Sequence, residues 1–419
     1  MTAATETART GGAPRTVRPV VTGLGVVAAT GLGVEEYWAA TLAGKSGIGP
    51  VTRFDTRDYS ARLAGQAHIV PERHLPGRLL PQTDHMTRLA LITADEVLAD
   101  AGADPRQLPD YAVGVLTAAS GGGFEFGQRE LEALWSKGGS YVSAYQSFAW
   151  FYPVNTGQIS IRHGIRGASG AVVAEGAGGL DAVAKAVRRL RLGTSLMVSG
   201  GVDGSLCPWG WICMIASGGL TTAADAAEGY RPFDSHANGH APGEGGALLT
   251  IEDRADALAR GVSRSYGEIA GYAATFDPRP GSGRGPALRR AIDLALERAR
   301  TRPDEVGVVF ADASGLPSLD SVEAETIAGV FGPRAVPVTA PKTMTGRLLA
   351  GGGALDLATA ALSLRDGVVP PTIHIGHPAH PDLLDLVRDE PRATAPQVAV
   401  VLARGHGGFN SAMVLRRAD

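Results

Sequence analysis

Two glycine-led segments, one in each half of the chain, restrict what this sequence can fold into. In the first, Gly178-Gly179-Leu180-Asp181 opens a run in which Leu180, Val183, Val187 and Leu190 recur at three- and four-residue steps before Gly193. In the second, Gly352-Gly353-Ala354-Leu355-Asp356 opens a run that stops at Gly367. Each run predicts a helix, each is followed by a β-rich stretch, and the leading glycines permit close approach of a neighbouring backbone. A unit that occurs twice predicts a duplicated α/β fold. The change-over falls near Ser263 to Gly267, which divides the chain into halves of residues 16–265 and 266–419.

Strand-like runs at Val17–Thr22, Ala112–Thr117 and Leu196–Ser199, with helical periodicity from Thr87 to Ala101, continue the alternation of α and β. Gly23-Leu24-Gly25-Val26-Val27-Ala28 fits a G-x-G-x-x-A dinucleotide fingerprint. The helix that fingerprint needs cannot start in Val26–Thr30 ahead of Gly31 and Gly33, so a tight turn is expected instead. The 57 glycines in 419 residues are about twice the average share and show no collagen period, so they must serve turns and close contacts. Residues 1–15 read as a loose, disordered tail with neither a basic lead nor an apolar core, and no apolar run reaches membrane-spanning length. A cytoplasmic chain with no membrane partner is expected.

Charge narrows the function. Thirty-nine Lys and Arg against 42 Asp and Glu leave a net charge of −3, without the basic excess that neutralises phosphates, so nucleic acid is not an expected partner. Two cysteines, Cys207 and Cys213, can build neither a disulfide framework nor a structural zinc site of their own. With no basic neighbour in sequence to lower a thiol pKa, both read as buried hydrophobes. His374, His377 and His380 share a three-residue spacing, but Pro370, Pro371, Pro378 and Pro381 forbid the helix that would align them, so a loop and no metal site are expected. There is no G-x-S-x-G elbow and no P-loop.

Aromatic residues are concentrated: nine of the 24 lie between Phe124 and Tyr152. Large rigid side chains at this density suit a subunit interface or an apolar tunnel, and a local core cluster is the alternative.

Five further motifs occur in order: Val173-Ala-Glu-Gly176-Ala-Gly-Gly-Leu180, Arg231-Pro-Phe-Asp234, Pro242-Gly-Glu-Gly-Gly246, Pro341-Lys-Thr-Met-Thr-Gly-Arg347 and Gly405-His-Gly-Gly-Phe-Asn-Ser-Ala412. At these residues the chain resembles the β-ketoacyl synthases of the thiolase superfamily, from about Val20 to Leu415. The resemblance implies a duplicated thiolase-like fold, a five-layer αβαβα sandwich. In that family a cysteine at a helix N-terminus carries the acyl chain and two histidines assist decarboxylation. The matching positions here hold Gly176, Asp312 (in Asp312-Ala-Ser-Gly-Leu-Pro317) and Arg347, so the resemblance implies no catalytic residue.

Segments 123–131, 141–152 and 174–181 are similar to the chain-length factors, or ketosynthase β subunits, of bacterial type II aromatic polyketide synthases. Such subunits pair with a ketosynthase α, and the poly-β-ketone built from malonyl units on an acyl carrier protein extends into a tunnel at their interface. The resemblance implies no directly bound cofactor, the substrate being phosphopantetheine-linked through the carrier protein. Most members carry glutamine where Gly176 stands, so a role for that amide cannot be carried over. Family gatekeepers fall on Phe124, Gly127 and Leu131, which share one helical face at i, i+3 and i+7. The latter two are bulkier in members that make short chains, which predicts a longer product, a decaketide or beyond. Two readings stay open: an acyltransferase of the same fold using Cys207, Cys213 or His406, and a pure scaffold for the partner.

Overall fold

The structure, a computed structural model, describes residues 15–279 and 281–418. Most of the expected tail therefore lies outside the described residues. Arg15 itself is anchored, donating its N–H to the Arg191 carbonyl at 2.9 Å and its guanidinium to Asp253 at 2.8 Å.

Ten principal strands fall into two sets of five. The first comprises β1 (Pro19–Ala28), β2 (Val113–Ala118), β3 (Ser169–Val172), β4 (Leu196–Asp203) and β5 (Gly245–Asp253). The second comprises β6 (Gly267–Phe276), β7 (Val308–Phe310), β8 (Pro337–Thr339), β9 (Val398–Gly405) and β10 (Phe409–Arg416). Their orders, β1-β5-β4-β2-β3 and β6-β10-β9-β7-β8, are the same topology twice. In both, the first three strands pair antiparallel and the remaining pairs are parallel. A short antiparallel pairing of β1 with β6, Val20 opposite Glu268 and Val21 opposite Gly267, joins the two sets edge to edge.

The principal helices are α1 (His85–Asp100), α2 (Phe124–Lys137), α3 (Val154–His163), α4 (Gly178–Arg191), α5 (Pro208–Ala216), α6 (Leu288–Ala299), α7 (Pro317–Phe331) and α8 (Ala350–Asp366). Helices α4 and α8 lie between the sheets, α1 and α3 cover the outer face of the first, and α6 and α7 cover that of the second. The strands alternate accordingly: Val308, Phe310, Val401 and Met413 join the central core, while Val309, Val400, Leu402 and Val414 face α6 and α7. Layers therefore run α, β, α, β, α, as the resemblance implies.

Helix α8 is buried on every side from Gly353 to Leu364, which is why its sequence is small and apolar all round. The glycine-led starts of α4 and α8 approach one another. A Cβ at Gly179 would lie 2.7 Å from the Ala354 nitrogen and 2.8 Å from the Ala350 carbonyl oxygen.

The turn expected at Gly23–Ala28 does not form. Strand β1 runs through it, and Gly23 and Gly25 instead let α1 pack onto the strand, since Cβ atoms there would lie 2.7 Å from the Val97 and 2.4 Å from the Thr93 carbonyl oxygens. The histidine loop forms as expected. His377 packs edge-on against His236 with ring centres 4.7 Å apart, and His380 Nε2 is hydrogen-bonded to Ser321 Oγ at 3.2 Å.

Candidate functional site

The three positions where the family chemistry would sit converge. Gly176 lies in the turn Glu175–Ala177 that leads directly into α4, Asp312 follows β7, and Arg347 precedes α8. From Nη2, Arg347 donates to both carboxylate oxygens of Asp312, each at 3.0 Å, and to the Arg404 carbonyl at 2.8 Å; from Nη1 it donates to the Asp312 carbonyl at 3.1 Å. A Cβ at Gly176 would come within 2.4 Å of that same Arg404 carbonyl oxygen and 3.4 Å of Arg347 Nη2. Backbone and guanidinium thus occupy the space a side chain at 176 would need.

Charge fixes this arrangement. Burial alone would raise the Asp312 carboxyl, but Arg347, Lys342 and Arg404 outweigh it and hold the carboxyl below its ordinary range. Asp312 Oδ1 also accepts the Arg404 N–H at 2.8 Å, and Lys342 bridges the Asp312 carbonyl (3.0 Å) and the Asp356 carboxylate (2.6 Å). Arg347 is raised well above its usual value, chiefly by Asp312 against the cost of burial. Behind the pair, Glu323 accepts the N–H groups of Asp312 and Ala313 at 2.7 and 2.8 Å, and burial pushes it up to about 7. Asp312 thus stays an ionised carboxylate and Arg347 a protonated guanidinium, and neither exchanges protons near neutrality. His240, beside Ser314, is kept neutral, burial lowering its pKa to about 3.

In front of the pair lies a cavity of about 470 Å³ whose walls include Phe124, Glu175, Cys213, Asp312, Arg347 and His406. Cys213 is thus exposed rather than buried, and it shares the cavity with His406. Cys207 is buried, its thiol pushed up to about 11 by desolvation, and its sulfur accepts the Gly210 N–H at the start of α5. Among the described residues no group of three His, Cys, Asp or Glu side chains could hold a metal ion.

Of the expected gate residues, Phe124 lines the cavity while Gly127 and Leu131 lie beyond it along α2. Gly127 is covered by Trp209, whose ring lies 3.1 Å from where a Cβ would stand, and by Trp150 at 3.4 Å; Leu131 is exposed. Trp209 stacks on Phe124 with ring centres 4.8 Å apart and planes 19° apart. The sequence reading missed Trp209, and no spacing ties it to α2; the only signal was its place beside Pro208 in an apolar run.

The aromatic cluster is not a local core. Phe126 is buried, but Trp135, Tyr141, Tyr145, Trp150, Phe151 and Tyr152 are exposed, Trp135 at 83%. Ile161 and Val173 are exposed as well, on either side of the edge strand β3.

Comparison with known proteins agrees with this geometry. The N-terminal domain of the beta-ketoacyl synthase family matches residues 18–257 and its C-terminal domain residues 266–376. The chain is 59% identical over 400 residues to the tetracenomycin polyketide synthase ketoacyl synthase beta subunit of Streptomyces glaucescens, covering 95% of this chain and 98% of that protein. The ishigamide ketosynthase/chain length factor superposes with a TM-score of 0.87 at 25% identity, over 97% of this chain and all of that one. A type II polyketide synthase ketosynthase, solved with its acyl-carrier protein and bound to a hexaketide, superposes with a TM-score of 0.85 at 26% identity, over 96% of this chain and all of that one. With its duplicated five-layer fold, family domains matched over residues 18–257 and 266–376 and a beta-subunit relative along nearly its whole length, the chain belongs to the β-ketoacyl synthase family, in its polyketide beta-subunit, or chain-length-factor, branch.

Proposed function

We propose that this chain is a non-catalytic chain-length factor that pairs with a ketosynthase α subunit and limits the poly-β-ketone formed in aromatic polyketide biosynthesis. The observation that carries this reading is the buried Asp312–Arg347 pair beside Gly176, which leaves the cavity without a nucleophile or a proton shuttle at the family positions. A cavity with no nucleophile at the expected positions, walled in part by Phe124, suits a role in containing a chain made elsewhere. The exposed aromatic surface and the open edge of β3 suit burial against a partner subunit. Substrate reaches the pair phosphopantetheine-linked on an acyl carrier protein, and this chain binds no cofactor of its own. The halves 16–265 and 266–419 are its two duplicated units.

Phe124, Gly127 and Leu131 form the gate. Leu131→Phe, co-expressed with ketosynthase α and carrier protein, is expected to shift the polyketide mass to shorter chains. An unchanged mass would favour a scaffold role. Cys213 and His406 on the same cavity favour one other reading, a displaced nucleophile. Labelled iodoacetamide at pH 7 separates the two, since a slow Cys213 opposes a displaced nucleophile and a fast one supports it.

A further inference from the structure

Helix α2, which carries the gate, is tied to the core by a residue outside every motif described above. Asp84 caps α1, its Oδ1 accepting the Met86 N–H at 2.8 Å. Its other oxygen, Oδ2, accepts the Phe126 N–H at 2.8 Å, in the first turn of α2. One buried carboxylate thus joins the N-termini of two helices, each of which leaves N–H groups that need an acceptor. The seat is close: a Cβ at Gly123, immediately before α2, would lie 2.7 Å from Asp84 Cβ and 2.2 Å from the Ala149 carbonyl oxygen of the aromatic segment.

A second tie runs parallel to the first. Arg53 pairs with Glu125 in the same turn of α2 and with the buried Glu244 at 2.5 Å, and His85, next to Asp84, sets Nε2 3.4 Å from Glu244. Farther along α2, the Gln128 side-chain carbonyl accepts the Trp209 backbone N–H at 2.9 Å. The first turn of α2 is therefore hydrogen-bonded to Asp84 in the core, and the next turn to the backbone of the residue whose indole stacks on Phe124.

We propose that Asp84 is a positioning residue for product length: it sets the height of α2 against α1 and so where Phe124, with Trp209 stacked on it, stands at the cavity. The inference rests on the gate reading above. A carboxylate suits the task because it presents two acceptor oxygens on one planar group. Serine offers one, and asparagine sets an NH₂ group against one of the two donors.

The test is product mass from the complete heterodimer with its carrier protein, comparing wild type, Asp84→Ser, Asp84→Asn and Leu131→Phe. Serine retains a cap for α1 while losing the arm to α2. The share of off-length polyketides is expected to rise about two- to tenfold in Asp84→Ser, as befits loss of one net buried hydrogen bond, and less in Asp84→Asn. Leu296→Ala, a core truncation in α6, lowers the melting temperature without reaching α2 and is expected to keep the wild-type spectrum. A wild-type spectrum from Asp84→Ser, alongside a shortened product from Leu131→Phe, overturns the positioning role and leaves the gate standing. An unchanged product from Leu131→Phe overturns both. If Asp84→Ser does not assemble, a wild-type spectrum from the isosteric Asp84→Asn overturns the role. Equal broadening in Leu296→Ala overturns it too, by tracing the effect to stability.

Discussion

At the scale of single residues, the site is defined by a buried ion pair. Arg347 is stranded in the interior unless Asp312 balances it, and removing one member of such a pair leaves an uncompensated buried charge. Arg347→Ala is expected to destabilise the protein by about 3–5 kcal/mol. Adding Asp312→Ala to it should cost less than the two single losses combined, a coupling that melting temperatures of the three variants measure. Glu323 supplies a pH signature. Burial raises its pKa to about 7 in the folded protein, above its ordinary value of 4.5, so the folded protein holds this proton more tightly between those two values. The stability it contributes is therefore full at the acid end and lost as pH rises toward 7. The melting temperature of wild type relative to Glu323→Gln should fall over that interval, and a constant difference would contradict the assignment. The absence of cysteine and histidine at 176, 312 and 347 was legible from motif order. That Arg347 would reach Asp312 and Arg404 at once was not, because partners 35 and 57 positions away leave no spacing pattern.

At the scale of elements, local pattern served best where one element dictates its own environment. The amphipathic period of α4 predicted a helix with one polar face, as its exposed Lys185, Arg188 and Arg189 bear out, whereas the burial of α8 on every side emerged only from the fold. The misreading of Gly23–Ala28 has the opposite origin. Two glycines in a β-branched run look like a turn unless one knows that α1 crosses them, and only the packing of a helix 60 to 80 residues away supplies that reason. The gate was half legible for the same cause. The i, i+3, i+7 face of α2 is a local property, but the indole over Gly127 comes from α5. With Trp209 stacked on Phe124 and filling the space a side chain at 127 would take, Trp209→Ala is expected to widen the cavity and lengthen the polyketide, read as product mass. A shorter or unchanged product would remove Trp209 from the gate.

At the scale of the whole molecule, the twofold use of one five-strand topology was visible as two glycine-led helices, since duplicated packing demands small residues at equivalent points. The partner was legible through the resemblance, and the excess of aromatics between Phe124 and Tyr152 was compatible with it. Their exposure in the folded chain, where a core cluster would have been buried, turns that excess into a surface that needs covering. No helix among the described residues is long and apolar enough to cross a membrane. The proposed role ties the cavity to this surface: a chamber walled in part by Phe124 would contain a chain built by the subunit beside it. The most direct measurement is mass spectrometry of polyketides from this chain, ketosynthase α, carrier protein and malonyl transfer activity reconstituted together and with each subunit omitted. A long polyketide that needs both subunits is the expected result. Condensation by this chain without ketosynthase α would contradict the account, because it would mean that a nucleophile operates in a site where glycine, aspartate and arginine stand.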